Sequence, residues 1–490
     1  MAESRETLRQ LIRRRLGRHP FVVVSNREPY SHRYQNGRVE WIRPASGLTV
    51  ALDPVMQASR GLWVAHGSGA ADREVSDAAG FVGVPPDRPT YRLKRVWLSK
   101  KQEEGYYYGF ANSALWPLCH VAYRRPQFRE DQWRAYRAVN LLFAEKVAEE
   151  VRDQEAFVFI QDYHFALLPR LLRARCPNAI IAQFWHIPWP NPEVFRICPW
   201  KREILDGMLG SDMLGFHLRY HCMNFMDTVD RELEARPDRE MTALVYQGHT
   251  TKIRAFPISI DFEAISHRAA APETRKLAQV LARKYRFPEK VILGVGADRM
   301  DYTKGIPERL DAIDAFLTRY PAYRDRFVFL QAAVPSRSQV EEYRRLDDEI
   351  EQKVAQINWK HGNEHWQPVL LLREHLPLNT LLALYRVARF VLVSSLHDGM
   401  NLVAKEFVAS QVDSNGVLLL SQFTGASREL TDALIINPYS ADQVAEKIRE
   451  AIEMDSTEVR RRMGRMRRLV REQNVYRWAA SVIKKLSKLA

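Results

Sequence analysis

The sequence predicts an α/β protein built as two doubly wound, Rossmann-like domains facing across a cleft. Three observations carry that prediction. Short apolar runs rich in β-branched residues alternate with longer helical stretches, the pattern of strand–helix–strand units. The alternation runs twice, from Phe21-Val22-Val23-Val24 and again from Val291-Ile292-Leu293-Gly294-Val295. At 490 residues the chain also exceeds what one hydrophobic core organises, so two domains are expected.

Residues 1–20 read as a basic amphipathic arm ending at Pro20. The strand at 21–24 runs into Ser25-Asn26-Arg27, which puts an arginine at the carboxyl end of a first parallel strand. A planar guanidinium there suits a phosphate or carboxylate, because it binds through two parallel hydrogen bonds. Asn36-Gly37 marks a hairpin turn. Pro44-Ala45-Ser46-Gly47-Leu48 reads as a small-residue loop before a helix, able to close over a pyrophosphate. A strand follows at 61–67. The aromatics Tyr106, Tyr107, Tyr108 and Phe110, with Leu115-Trp116-Pro117, read as a crowded loop. Most of them are expected to pack as a cluster, with Asn112 and Gly109 suiting a sugar-stacking wall.

A helix is expected over 131–151, then a strand at 157–160 ending in Gln161-Asp162-Tyr163-His164. The next, at 179–184, ends in His186-Ile187-Pro188-Trp189. Three parallel-type strands thus deliver Arg27, Asp162 and His186 at their carboxyl ends, the edge where open α/β sheets bind ligands. Strands follow at 213–216 and 253–258, and 261–272 reads as the interdomain connection. The predicted division is the arm 1–20, a first Rossmann-like domain 21–262, a second 263–475, and a last helix 476–490.

In the second half, the strand at 291–295 delivers Arg299 and Lys304, five residues apart in a loop that carries Gly305. They are spaced to straddle a diphosphate. Strands at 327–330 and 370–372 lead to Arg337 and to His375-Leu376. The apolar run 390–393 opens into His397-Asp398-Gly399-Met400-Asn401 and then a helix through Leu402-Val403-Ala404-Lys405-Glu406. A strand, a glycine turn and a helix start form an anion site, because free backbone amides and the helix dipole both favour negative charge. Asp398 suits a sugar hydroxyl and Glu406 a ribose diol. The plainer reading makes Asp398 an N-cap and Glu406 a solvated helix residue. Two more strands, at 417–420 and 434–436, precede a helical, basic end.

Hydrophobic content of 46% with 27% charged residues describes a soluble globular chain. No apolar run reaches the roughly 20 residues that span a bilayer, and the Arg-rich start lacks a signal-peptide core. A cytoplasmic location is expected. Cys119, Cys176, Cys198 and Cys222 show no paired spacing, so neither disulfide nor metal use is expected. The formal net charge is +14, and no nucleic-acid module accompanies it. A basic cleft instead suits phosphorylated substrates. With no metal-ligand cluster legible, arginine and lysine are expected to balance a leaving diphosphate. No cofactor, nucleic acid or membrane partner is expected, and a homo-oligomer is left open.

These motifs together resemble the trehalose-6-phosphate synthase family, retaining glucosyltransferases of the two-domain GT-B fold. The resemblance runs over about residues 21–480. It rests on Val-Ser-Asn-Arg at 24–27, Leu-Trp-Pro at 115–117, Asp-Tyr-His at 162–164, His-Ile-Pro at 186–188, Arg-x-Asp-Tyr-x-Lys-Gly at 299–305 and Asp-Gly-Met-Asn-Leu-Val-Ala-Lys-Glu at 398–406. It implies glucose transfer from a nucleotide-glucose, UDP-glucose, to glucose 6-phosphate, giving trehalose 6-phosphate without a protein nucleophile. It also implies that the first domain, 21–262, binds the acceptor and the second, 263–475, the nucleotide-sugar, and that the last helix crosses back to the first domain. Arg27, Tyr107, Asp162 and Arg337 would bind the acceptor, with Trp116 and Ile187 helping to select the anomer. Arg299 and Lys304 would hold the donor diphosphate, with Gly47 touching it. His186 and Asp398 would bind the donor sugar. Gly399, Met400, Asn401, Leu402, Val403, Ala404, Lys405 and Glu406 would bind the nucleotide phosphates and ribose, and the backbone near Leu376 the base. His397, Gln161, Trp189, the single Gly47 and Glu28-Pro29-Tyr30 depart from the family pattern, mainly on the acceptor side. The same transfer to glycerol 3-phosphate stays open as an alternative, as in the similar glucosylglycerol-phosphate synthases. A non-catalytic sugar-phosphate sensor is the rival from another class.

Overall fold

A computed structural model describes residues 3–43, 47–288, 290–337 and 339–489. The chain divides into two compact units, Met1–Ile258 with Val475–Ala490, and Ser259–Asn474.

The first unit holds β1 (Phe21–Arg27), β2 (Ser31–Gln35), β3 (Arg38–Ile42), β4 (Leu62–His66), β5 (Phe81–Val84), β6 (Tyr91–Val96), β7 (Phe157–Gln161), β8 (Ile180–Phe184), β9 (Met213–Phe216), β10 (Arg236–Asp238), β11 (Ala243–Tyr246) and β12 (His249–Ala255). Apart from the β2–β3 hairpin they form one sheet in the order β10-β11-β12-β9-β8-β7-β1-β4-β6-β5. From β12 to β6 every neighbour is parallel, and both edges are antiparallel. Parallel strands are covered on both faces, which explains why residues 21–26 are all buried and why 21–24 read as an unbroken apolar run.

The chain leaves β1 toward β4 and β6, then returns to the other side of β1 with β7, β8 and β9. The strand order therefore reverses between β1 and β7. Ligands of open α/β sheets sit at such a reversal, outside the carboxyl ends of the strands. Arg27 ends β1, and Asp162 directly follows β7.

The second unit repeats the logic with β13 (Ile292–Arg299), β14 (Phe327–Val334), β15 (Val369–Leu372), β16 (Phe390–Val393), β17 (Val417–Ser421) and β18 (Leu434–Ile436). The order is β15-β14-β13-β16-β17-β18, parallel throughout. The reversal falls between β13, which ends at Arg299, and β16, which leads to Asp398 and Gly399.

Several expectations need correction. The aromatic stretch is no loop: Lys100–Glu103, a wide-turned helix Glu104–Leu115 kinked at Gly109, and Trp116–His120 follow one another. Asn112 Nδ2 donates to Tyr107 O at 2.7 Å and Ser113 Oγ to Tyr108 O at 2.8 Å. These bonds reach back five residues, the reach of a π turn. Residues 261–272 are mainly the helix Phe262–Ala270 rather than a linker, with Asp261 Oδ1 accepting from Ala264 N at 3.1 Å as its cap. The strand expected at 253–258 lies at 249–255. The strands β5, β6, β10 and β11 were not anticipated. Residues 44–46 of the small-residue loop lie outside the described residues, and Gly47 opens the helix Gly47–Ser59.

The final helix, Val475–Leu486, packs within the first unit. Trp478 Nε1 donates to Phe256 O at 3.2 Å, and its ring meets Phe159 and Phe184. No helix among the described residues is long and apolar enough to cross a membrane. All four cysteines are buried free thiols.

Candidate active site

In the first unit the β1–β7 reversal gathers the predicted polar groups. The register of β1 against β4 breaks between Ser25 and Arg27, and such a bulge re-aims the side chain beside it. Arg27 Nη2 donates to the Tyr107 hydroxyl at 3.0 Å. The Tyr107 ring stacks on His164, with centroids 5.7 Å apart and planes 10° from parallel. Asp162 has a φ of +74°, a backbone setting rare outside glycine and stored mostly at functional sites. Its Oδ1 accepts from Tyr163 N at 3.0 Å and His186 N at 3.2 Å. One carboxylate thus ties the end of β7 to the turn after β8.

His186 Nε2 lies 3.0 Å from Gln161 Oε1. The Gln161 amide nitrogen donates to Phe159 O at 3.3 Å, so its oxygen faces the ring and Nε2 carries the proton. Burial first, then His217 and His164, push the His186 pKa well below its ordinary value. A neutral ring with Nε2–H committed presents Nδ1 as an acceptor, the form needed to receive a sugar hydroxyl. Trp116 is buried, its ring 4.1 Å from His120 and 5.6 Å from Tyr163. Ile187 is buried as well.

In the second unit, Arg299 closes β13, and Tyr302–Lys304 form one 3-10 turn. Gly305 follows with φ +61°, and a Cβ on it would sit 2.3 Å from Ser394 O. Only glycine lets this loop lie so close to the chain leaving β16. Leu396 N donates to Thr303 O at 2.8 Å, joining the two loops. Lys304 Nζ then donates to Asp398 Oδ2 at 2.5 Å.

Asp301 organises the cations. It is fully buried, and its Oδ1 accepts from Thr303 N and Oγ1 at 3.0 and 2.9 Å. Arg337 Nη1 donates to its Oδ2 at 3.0 Å and also to the Tyr343 hydroxyl. Burial disfavours the charged form, yet Arg337, Arg299 and Lys304 together hold the Asp301 carboxyl below its ordinary range. Three cations thus stand against two carboxylates, Asp301 and, through Lys304, Asp398, an excess of one positive charge.

Asp398 is not the cap of the helix Leu402–Ser410. That role falls to Asn401, whose Oδ1 accepts from Ala404 N at 3.0 Å while its backbone stands at φ +99°. Asp398 Oδ2 instead collects Lys304, Asn401 Nδ2 at 3.2 Å and Ser395 Oγ at 3.3 Å. Helical geometry leaves the amides of Leu402 and Val403 without intrahelical carbonyls, beside Gly399 and Met400. Lys405 points inward and donates to Glu429 at 2.7 Å. It is an internal strut, not an exposed phosphate ligand. Burial pushes the Glu406 carboxyl up to about 7. Leu376 is buried just ahead of the helix Leu378–Val387.

Four polar groups with clear positions went unforeseen: Asp301, Tyr343, Glu429 and the Asn401 cap. Asp301 had a signal, since it lies inside Arg-x-Asp-Tyr-x-Lys-Gly. Tyr343 and Glu429 meet their partners only through tertiary packing.

Two reversal-point sites in two parallel-sheet units, one with surplus cations at a glycine turn and helix start, define a glycosyltransferase of the GT-B class. The chain belongs to glycosyltransferase family 20, whose profile matches residues 19–488. It is 38% identical over 479 residues to the trehalose-6-phosphate synthase of Mycolicibacterium paratuberculosis, covering 96% of each chain. Among solved structures, it superposes on the E. coli protein bound with UDP-2-fluoro glucose with a TM-score of 0.84 and 32% identity, covering 96% of this chain and 99% of that one. A Burkholderia xenovorans α,α-trehalose-phosphate synthase (UDP-forming) in complex with glucose-6-phosphate gives a TM-score of 0.85 and 29% identity, covering 95% and 99%.

Proposed function

We propose that this chain transfers glucose with retention from UDP-glucose to glucose 6-phosphate, giving trehalose 6-phosphate. The observation that carries the proposal is the surplus of positive charge around Asp301, in contact with the Asp398–Glu406 turn. Arg299 and Lys304 neutralise the departing diphosphate, with the amides at the start of Leu402–Ser410 adding fixed dipoles. Gly47 also meets the diphosphate. Asp398 and His186 receive donor-sugar hydroxyls, Glu406 the ribose, and the backbone near Leu376 the base. Arg27 and Arg337 bind the acceptor phosphate, Tyr107 and Asp162 its sugar. The bond from glucose C1 to the phosphate oxygen breaks, and the bond from C1 to the acceptor oxygen forms on the same face. The acceptor proton passes to the departing phosphate oxygen. The relatives bound with a UDP-sugar and with glucose-6-phosphate support the reading.

The test is a product analysis by mass. The protein is incubated with a panel of nucleotide glucoses against glucose 6-phosphate and glycerol 3-phosphate. Trehalose 6-phosphate with release of UDP is expected. Glucosylglycerol phosphate as the main product would overturn the acceptor assignment. For the clamp, Arg27→Ala raises the acceptor KM far more than the donor KM, because the guanidinium pairs with the acceptor phosphate alone.

A further inference from the structure

We propose that Glu28 and Arg95 are positioning residues: with Asp72 they form a buried charge cluster that fixes the bulged end of β1 and so aims Arg27. The proposal rests on the reading of Arg27 as an acceptor-phosphate ligand.

The chain is pinned on both sides of Arg27. Ahead of it, Ser25 Oγ donates to Arg27 O at 2.6 Å and accepts from Trp63 Nε1 at 2.7 Å. After it, Glu28 turns fully inward. Its Oε1 accepts from Ser68 N at 3.1 Å and its Oε2 from Arg95 Nε at 2.8 Å. Neighbouring side chains of an extended segment point to opposite faces. Holding Glu28 inward therefore presents Arg27 outward, toward Tyr107.

Arg95 fixes more than Glu28. Its Nη2 donates to Tyr30 O at 3.1 Å and lies 3.0 Å from Asp72 Oδ1 and 2.9 Å from His32 Nδ1. Its Nη1 donates to Asp72 O and Ser76 Oγ, both at 3.0 Å. Asp72 in turn accepts from His32 N at 2.7 Å and Gly69 N at 2.6 Å. One guanidinium thus ties residues 28, 30 and 32 to the segment after β4. Glu28, Asp72 and Arg95 are each buried to about 2% exposure or less. A partner lost from such a site leaves a buried charge uncompensated.

Two carboxylates face one guanidinium here, so the buried cluster is neutral only while one keeps its proton. Burial first, then the hydrogen bond to Asp72, pushes the Glu28 carboxyl up to about 8. Burial opposes ionisation of Asp72 too, but hydrogen bonds from His32 and Glu28, with the charge of Arg95, hold it well below the carboxylate range. The charged and titratable groups around Glu28 are Arg95 on β6, Asp72 on the segment after β4, His32 on β2 and His66 at the end of β4. Burial lowers the His66 pKa to about 4, against the pull of Asp72, so its ring stays neutral above neutral pH. Above about pH 8 a second negative charge then enters a site with a single cation.

The experiment measures acceptor and donor KM across about pH 7 to 9.5, where the acceptor phosphate, with its second pKa near 6, is already dianionic. In the wild type the acceptor KM is expected to rise about fivefold or more through pH 8, with the donor KM flat. Glu28→Gln keeps the shape and a donor for Asp72 and cannot ionise, giving up one of the two bonds that the carboxyl accepts from Ser68 N and Arg95 Nε. It is expected to remove the alkaline rise while leaving the acceptor KM at pH 7 within about threefold of wild type. Arg95→Lys, checked for folding by thermal melt, raises the acceptor KM at all pH values. An alkaline rise that persists in Glu28→Gln overturns the proposal, as does one shared equally by the donor. Arg27→Ala is run alongside. If it leaves the acceptor KM unchanged, the Arg27 assignment falls and the positioning proposal with it. If it raises the acceptor KM while Glu28→Gln keeps the wild-type profile, only the positioning proposal falls.

Discussion

Lys304→Ala is the sharpest test of the donor assignment. The ammonium stands 2.5 Å from Asp398 Oδ2, and both side chains are about 15% exposed. That exposure is enough for a ligand to reach the ammonium. At an effective dielectric of about 20, unit charges about 4 Å apart attract by about 4 kcal/mol. If that attraction is realised only as charge builds on the departing diphosphate, its loss costs about three decades in kcat, at about 1.4 kcal/mol per decade. Stability answers differently. A partly solvated pair contributes about 0–1 kcal/mol, and Asp398 keeps Asn401 and Ser395 as donors. The variant should therefore fold with a melting temperature near wild type while kcat falls by about a thousandfold. Steady-state kinetics on product release, with a thermal melt on the same sample, reads both numbers. A kcat within tenfold of wild type in a folded variant refutes the assignment of the charge to the diphosphate. A collapse of the melt would refute the placement of the pair as partly solvated.

Other outcomes follow from the same geometry. Glu429→Ala strips the partner from buried Lys405 and should cost about 3–5 kcal/mol of stability, read as a lower chemical-denaturation midpoint. Gly305→Ala meets both a left-handed φ and a 2.3 Å contact with Ser394 O, so it should destabilise by at least about 1–2 kcal/mol and raise the donor KM by displacing Lys304. Glu406 is held above its unfolded pKa by burial. Its contribution to stability is therefore complete below pH 4.5 and lost as pH rises through about 7; Glu406→Gln should flatten that part of the stability–pH curve.

Legibility in the sequence followed the range of the interactions. Val22-Val23-Val24 and Phe390-Val391-Leu392-Val393 announce buried parallel strands because both faces of each are covered, so no polar residue interrupts them. Arg27, Asp162, His186 and Arg299 could be picked out because each follows such a run, and strand ends are where these sheets place ligands. The helix Glu104–Leu115 was missed for a local reason. Gly105, Gly109 and three consecutive tyrosines suggest a turn, and the bonds from Asn112 and Ser113 that sustain wide helical turns leave no periodic trace. The Glu28–Asp72–Arg95 cluster was missed for the opposite reason. Its members come from three separate segments, and each alone reads as a surface charge.

The plainer reading of Asp398 as an N-cap fails on position, because the residue directly before Leu402 is Asn401. The backbone decides: at φ +99° Asn401 turns its side chain onto Ala404 N, which releases Asp398 to face Lys304. The departures from the family pattern obey a comparable rule of satisfied polar groups. Gln161 supplies the oxygen that His186 Nε2 needs. Trp189 is wholly buried, yet its indole N–H donates to Thr228 Oγ1 at 3.1 Å. Both departures place a buried polar atom that finds a partner, so neither leaves an unsatisfied group.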